Sequence, residues 1–492
     1  MSDVILSAEQ MRQADAYTVG ALSVPSLTLM SRAAQALFRG CPDFEGDAVI
    51  LCGNGNNGGD GYALAAILAE KGKKVTVIAP AEGTMSPDCA EMRRRAEEKG
   101  IAARPLDGET EKIIAKAELI VDCLFGTGFR KGKTPDGKIT RALSLANSSD
   151  AFRLACDIPS GCVCDTGAAE SYAFRATRTV TFAAYKPCFF LFPAKDFCGQ
   201  TQVADIGIPG EAFEAQNPCF FTVEENLALK NIPVRRANTH KGSYGALRML
   251  CGSKNMTGAP VLAATAALRT GAGLVYISAP IAVRRILQTA LAEPVFTPTY
   301  AKVPKATAVL VGCGLSMKRA GLVRYALGLG LPTVADADAL TYISRHPNIL
   351  QQANKNLILT PHPAEMARLC GITTEQVEAD RFTVARNYAV KNGVVLVLKG
   401  HNTLIATPEG KVFVNTTGNP GLAKGGSGDT LAGIIASLLA QGLTAEQSAV
   451  TGVWLHGKAA DILRDGISEY GLLPSDIPMT VAQILRKKNS PL

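Results

Sequence analysis

Residues 49–71, VILCGNGNNGGDGYALAAILAEK, decide how the first half of the chain is read. Positions 49–52 are a short apolar run, the pattern of a strand buried on both faces. A Gly/Asn loop follows over 53–61, and 62–71 carries apolar residues at helical spacing. Strand, glycine-rich loop and helix in that order form a unit whose turn can approach a ligand closely and whose helix N-terminus favours an anion. Gly53, Gly55 and Gly58 satisfy a literal G-x-G-x-x-G, a pattern that is weak by itself. The Asn56-Asn57 pair and the closing Asp60-Gly61 go beyond what a dinucleotide turn requires. They add amide and carboxylate groups to the loop.

The same rhythm extends on either side. Residues 8–39 contain two stretches with helical periodicity, AEQMRQADAYTV and LTLMSRAAQALF. Apolar runs at 75–79, 119–124, 154–157 and 179–183 continue the strand series, and alternating strands and helices imply a mostly parallel sheet covered on both faces. The stretch 208–242 is rich in Pro, Asn and charge and breaks the pattern, which puts a domain boundary at 218–222. A second series follows. It has strands at 247–251, 274–279, 309–312, 333–335, 357–360 and 394–398, and a helix at 259–269. A hairpin is expected over 403–406 and 411–414, and a long helix from Asp429. The expected domains are 1–218 and 222–492.

Bulk properties narrow the function. A chain of 492 residues suits two or three domains. The net charge of +8 is dispersed, with Arg93-Arg94-Arg95 and Lys487-Lys488 the densest basic runs, and Trp454 is the single tryptophan. A nucleic-acid surface needs a clustered basic stripe with aromatic partners, so no nucleic-acid partner is expected. At most the charge gives a mild attraction for phosphate-bearing ligands. The 13 cysteines lack zinc-site spacing. Cys52, Cys123, Cys156, Cys251 and Cys313 lie in apolar runs and read as core residues in a reducing compartment. No signal core or membrane-length apolar stretch is present, so a cytoplasmic location is expected.

Chemistry-bearing residues recur at the ends of the apolar runs. Asp122 precedes Phe125-Gly126-Thr127-Gly128, and Asp157 opens Asp157-Ile158-Pro159-Ser160-Gly161. In an open parallel sheet the carboxyl ends of strands face one crevice, so these residues should meet the 56–60 segment there. Asn57, Asp122 and Ser160 offer only oxygen ligands, which suit a hard cation and not zinc. As an alternative, each Asp and Gly is a turn or helix cap. In the second half, Gly425-Gly426-Ser427-Gly428-Asp429 leads into TLAGIIASLLAQ. Exposed backbone N–H groups and the helix dipole make a cradle for a transferring phosphoryl group. Asp429 is placed to take a proton from an attacking hydroxyl; the alternative is a helix cap. No Walker A sequence occurs.

GNGNNGGDG, DCLFGTG, DIPSG..CDTG, TFAAYKP and VADIGIP, in that order over about 5–210, resemble the NAD(P)H-hydrate epimerase family. The resemblance implies a Rossmann-like domain in which Asn56, Asn57, Gly58, Gly59, Asp60, Gly126, Thr127, Gly128, Phe129, Arg130, Lys131, Gly132 and Asp157 hold the nicotinamide hydrate. It implies a potassium ion on Asn57, Asp122 and Ser160, with Asp157 as acid/base. Lys186 is a further candidate, its alternative being a surface lysine beside Pro187. Across about 235–485, GGSGD with HKG, AALRTGAGLV, VGCG, ADADAL, LTPHPAEMARL and LKGHNT is similar to the ADP-dependent NAD(P)H-hydrate dehydratases of the ribokinase-like superfamily. That similarity implies a nucleotide loop of Lys399, Gly400, His401, Asn402 and Thr403 together with Gly428. It also implies a hydrate pocket of Ala259, Gly314, His362 and the catalytic Asp429. His362 lies between two prolines at a strand end, a loop-tip place where side chains meet ligands. The alternatives are a capped or surface histidine there and, for Lys399, a solvated lysine ending a strand.

The expected fold is therefore α/β, with two three-layer αβα domains. The expected substrates are NADHX or NADPHX and ADP, with a magnesium ion for phosphoryl charge. The family resemblance also implies a homo-oligomer. One half would interconvert the R and S hydrates, and the other would use ADP to return the S hydrate to NAD(P)H, releasing AMP and phosphate. The main alternative is a vitamin- or sugar-type kinase with a regulatory N-terminal domain, which GGSGD alone would fit. A second is an N-terminal half that only binds.

Overall fold

The computed structural model describes residues 4–81, 83–130, 132 and 136–486. It divides into two units, Met1–Pro218 and Cys219–Leu492.

In the first unit, strands β1 (Ala48–Cys52), β2 (Val75–Ile78), β3 (Ala103–Arg104), β4 (Leu119–Cys123), β5 (Phe152–Cys156), β6 (Arg178–Phe182) and β7 (Gln200–Ala204) form a parallel sheet in the order β3-β2-β1-β4-β5-β6-β7. All five residues of β1 are buried. Their period-two alternation sends Ala48, Ile50 and Cys52 into one core and Val49 and Leu51 into the other. Helices therefore cover both faces, and the unit has three layers. Chain direction across the sheet reverses between β1 and β4, and the loops that follow these two strands flank a crevice at their carboxyl ends. Such switch points are where open α/β sheets bind ligands.

The helix after β1 spans Asn56–Glu70 and not the expected 62–71. Most of the supposed loop is helix, because its glycines serve packing more than turning. A Cβ on Gly58 would lie 1.9 Å from the Gly53 carbonyl oxygen, and one on Gly61 would lie 2.7 Å from Cys52 Sγ. Their absence lets the helix start hard against the sheet.

In the second unit, strands β8 (Phe220–Thr222), β9 (Ala246–Leu250), β10 (Leu274–Ser278), β11 (Val295–Thr297), β12 (Ala308–Val311), β13 (Thr333–Ala335), β14 (Leu357–Leu359), β15 (Val395–Leu398), β16 (Leu404–Ala406) and β17 (Val412–Val414) lie in the order β8-β17-β16-β15-β14-β13-β12-β9-β10-β11. Pairings are parallel except in the β15-β16-β17 meander, which contains the expected hairpin. The unit starts at Cys219, ahead of the expected 222, because Phe220–Thr222 pairs with Val412–Val414. The irregular stretch after 208 likewise holds helices Gly210–Glu214 and Glu225–Lys230. The switch point falls between β9 and β12. The apolar helix Ser427–Ala440 packs across the Gly258–Thr270 helix so closely that a Cβ on Gly433 would lie 2.2 Å from the Ala263 carbonyl oxygen. That contact sets where GGSGD stands over the sheet. Among the described residues, no helix is long and apolar enough to cross a membrane.

Candidate functional sites

The crevice of the first unit is a cavity of about 930 Å³, lined among others by Asn56, Asn57, Asp60, Phe125–Arg130, Asp157 and Lys186. The Asn56–Glu70 helix points its N-terminus into it. There the N–H groups of the first turn have no partner within the helix and suit an anionic ligand. Asp157, one residue past β5, has φ of 63°, a left-handed conformation that costs energy for any residue but glycine. Its Oδ1 accepts from Lys186 Nζ (2.7 Å) and Thr181 Oγ1 (2.9 Å). The other oxygen, Oδ2, faces the Gly126 loop. Lys186 is only 1% exposed and also donates to Thr181 Oγ1 and the Phe182 carbonyl. The surface-lysine alternative is thus wrong: a buried ammonium saturates one oxygen of Asp157 and leaves the other free to act. Burial pushes the Asp60 carboxyl well above the usual carboxylate range, and the charges of Asp157 and Asp15 push it the same way.

Asp122 and Ser160 contact each other, and Phe125 links them to Asn57: its N–H donates to Ser160 Oγ and its carbonyl accepts from the Asn57 amide. Asp122 is fully buried; its Oδ2 accepts from Ser160 N (2.7 Å), and its Oδ1 accepts from Ser160 Oγ (2.7 Å) and Leu124 N (3.2 Å). Among the described residues no basic side chain pairs with it. Burial therefore raises its pKa to about 6, even though the Ser160 and Leu124 hydrogen bonds act to lower it. The Asn57 amide donates to the Phe125 and Cys156 carbonyls. A buried carboxylate with only neutral donors, set among oxygen atoms, fits a hard monovalent cation.

In the second unit, Gly426 takes φ of 98° and turns the chain into the Ser427–Ala440 helix. The N–H groups of Gly428 and Asp429 then lie in the first turn, free of helical partners. Ser427 Oγ lies 3.4 Å from Nε2 of the buried His456, whose pKa burial lowers to about 4. His456 thus braces the loop as a neutral imidazole. Asp429 is half-buried, with its carboxylate clustered within 4.8 Å of Cys313 Sγ and Asp336. Burial, and then the Asp336 charge, raise its pKa to about 6. Lys399 Nζ bonds Asp336 Oδ1 at 2.8 Å and comes close to Gly428. It is largely buried and not the solvated lysine of the alternative reading. It brings positive charge to the cradle from the start of the 399–403 loop.

Other residues sort as follows. Ala259 and Gly314 touch: a Cβ on Gly314 would sit 3.0 Å from Ala259 Cβ. His362 is 48% exposed and caps its own helix, Pro363–Cys370, with Nδ1 accepting from Ala364 N, while Glu365 completes the capping box. The capped-histidine reading therefore describes its observed contacts. Gly400, His401, Asn402 and Thr403 form a turn with Asn402 at φ of 53° and Thr403 Oγ1 bonded to the Gly400 carbonyl. Gly58 and Gly59 are buried and absent from the cavity lining, as is Gly132, and Lys131 lies outside the described residues. Sequence reasoning passed over Asp336, His456, Asp15 and Arg381. Arg381 is buried and donates to the Leu398 and Lys399 carbonyls, holding the 399–403 turn from behind. Only ADADAL, already noted as a motif, pointed to any of these.

Comparison with known proteins matches residues 26–188 to the YjeF-related protein N-terminus family and 247–482 to the NAD(P)H-hydrate dehydratase family. The chain is 34% identical over 513 residues to a bifunctional NAD(P)H-hydrate repair enzyme of Moorella thermoacetica, covering 98% of this chain and 96% of that one. It is 32% identical over 489 residues to the one from Escherichia coli K12, with 97% and 93% covered. Among solved structures, a ribokinase-like superfamily protein from Enterococcus faecalis V583 aligns with a TM-score of 0.51 at 27% identity, covering 55% of this chain and 97% of that one. With both units accounted for along nearly the whole length, the chain belongs to the family of bifunctional NAD(P)H-hydrate repair enzymes.

Proposed function

We propose that this chain epimerises the R and S hydrates of NAD(P)H in its first unit, and in its second dehydrates the S hydrate with ADP, yielding NAD(P)H, AMP and phosphate. The observation that carries the reading is the pairing, at each sheet's switch point, of a helix N-terminus with a partly buried aspartate: Asn56 with Asp157, and Gly428 with Asp429.

In the dehydratase, the C6 hydroxyl attacks the β-phosphorus of ADP. Asp429 takes the hydroxyl proton, and the Gly428 and Asp429 amides with Lys399 stabilise the developing phosphoryl charge. AMP leaves. The C6–O bond then breaks to release phosphate, and loss of the C5 proton restores the dihydropyridine. Ala259, Gly314 and His362 would line the hydrate's place, and the 399–403 turn, held by Arg381, would take the adenine nucleotide. Magnesium takes oxygen donors, so in the Cys313–Asp336–Asp429 cluster the Asp336 carboxylate would hold it, leaving Asp429 as the base. When bound, it supplies counter-charge to the phosphates. In the epimerase, Asp157 Oδ2 moves the proton of the C6 hydroxyl as the ring opens and recloses. Asn57, Asp122 and Ser160 would hold potassium, which supplies counter-charge to Asp122.

The test is incubation of the full chain with separated R and S hydrates, with and without ADP. Conversion of R to S without nucleotide, and recovery of NAD(P)H with stoichiometric AMP and phosphate on adding ADP, support the proposal. A stable phosphorylated product would instead support the small-molecule kinase alternative.

A further inference from the structure

The epimerase cavity holds a carboxylate that the reaction as written does not use. Asp15 lies on the Ala8–Gly20 helix, before the first residue matched by the family comparison, and lines the same cavity as Asp157 and Lys186. Its carboxylate makes no hydrogen bond or ion pair among the described residues, although it is close enough to feel Lys186 and Asp157 electrostatically. Asp157 is in the opposite situation, with three donors on Oδ1: Lys186 Nζ, Thr181 Oγ1 and Phe182 N. Asp60 is more deeply buried than Asp15, with the Cys156 thiol against it. One aspartate is thus committed to an ammonium, while the other is uncommitted and faces the ligand space.

Opening a six-membered hemiaminal requires two proton movements. The hydroxyl proton on C6 must leave as the C6–N1 bond breaks, and the electron pair that stays on N1 must be met by a proton. Reclosure after rotation about C5–C6 reverses both. A single carboxylate serves one end only, and a pair of carboxyls in different environments serves both.

We propose that Asp15 is the second catalytic residue of epimerisation, giving its proton to N1 as the ring opens and taking it back as N1 attacks the aldehyde. Asp157 Oδ2 takes the C6 hydroxyl proton in the first step and returns it to the alkoxide in the second. No proton is gained or lost over the cycle, and no co-reactant is needed. Burial holds the Asp15 pKa up at about 6, opposed by Lys186 and aided by Asp157, so an acid form is available near neutrality. The other charged groups lining the cavity are Asp60, Arg12, Arg130, Asp88 and Asp136.

The proposal rests on the epimerase reading, and the test separates the two. The full-length Asp15→Asn, Asp15→Glu and Asp157→Asn variants are assayed for R-to-S interconversion above the spontaneous rate, and for dehydration of S hydrate with ADP as a check on the integrity of the chain. Asp15→Asn should lose about 100-fold in epimerisation and Asp15→Glu should recover part of it. The wild-type rate should fall as pH rises above about 6, and Asp15→Asn should lack that limb. Asn at position 15 within about twofold of wild type overturns the proposal, as does a wild-type profile without the limb or a limb that survives in Asp15→Asn. If the wild-type chain does not interconvert the hydrates above the spontaneous rate, the epimerase reading itself fails; if Asp157→Asn keeps the wild-type rate, Asp157 has no part in the step and the paired-carboxyl proposal falls with it.

Discussion

Replacing Asp429 by Asn should abolish dehydration and at the same time make the chain more stable at neutral pH. Burial lifts the Asp429 pKa from 3.8 to about 6. A raised folded-state pKa means the native state binds protons more tightly than the unfolded chain. The ionised side chain therefore destabilises the fold, by an amount that grows from pH 3.8 upward and levels off above about 6. At about 1.4 kcal/mol per unit, the shift corresponds to about 3 kcal/mol at pH 8 and about half of that at pH 5. Asn keeps the shape and removes the charge. Denaturant unfolding of wild type and Asp429→Asn, compared at about pH 8 and about pH 5 with adenine nucleotide absent, reads the difference directly. In parallel, AMP release from S hydrate and ADP should fall by about 100-fold or more in the variant. In wild type it should rise nearly tenfold between about pH 5 and about pH 7, as the base form fills. A variant less stable than wild type at pH 8, or a gain that does not shrink on acidification, would refute the argument that the second unit keeps this carboxylate against its own stability.

Three further outcomes follow. Lys186→Met removes the buried partner of Asp157 and should cost about 3–5 kcal/mol in thermal or denaturant unfolding, with loss of epimerisation. Gly58→Ala should destabilise by about 1–3 kcal/mol or more, because its Cβ would meet the Gly53 carbonyl, whereas Gly55→Ala has open space and should be nearly neutral; paired melting curves check this. Asp122→Asn should abolish any stimulation of epimerisation by potassium, measured by titrating the salt against choline chloride. An equal potassium response in both proteins would remove Asp122 from the cation site.

The strand series and the two crevices were legible because buried parallel strands are continuous apolar runs, and because glycine and aspartate cluster where strands end. Short strands were not: Ala103–Arg104 and Phe220–Thr222 carry too few residues to show a period. The helix start at Asn56 was hidden because glycines that permit close packing look, in one dimension, like glycines that permit a turn. Asp336 was missed, and the burial of Lys186 and Lys399 was not foreseen, for a related reason. A charged residue is normally solvated, and only the tertiary structure supplies the ion pair that makes burial tolerable. Asp15 sits in an ordinary amphipathic helix, and nothing local distinguishes it from the exposed Asp43.

The left-handed backbone at Asp157 also predicts how the first unit would decay. Glycine, and to a lesser degree asparagine, accept that conformation more cheaply than any other residue. In a descendant released from the need to interconvert hydrates, drift at this position would therefore run downhill toward Gly or Asn. A chain with either residue there, and a crevice otherwise intact, would carry the signature of a retired epimerase joined to a working dehydratase.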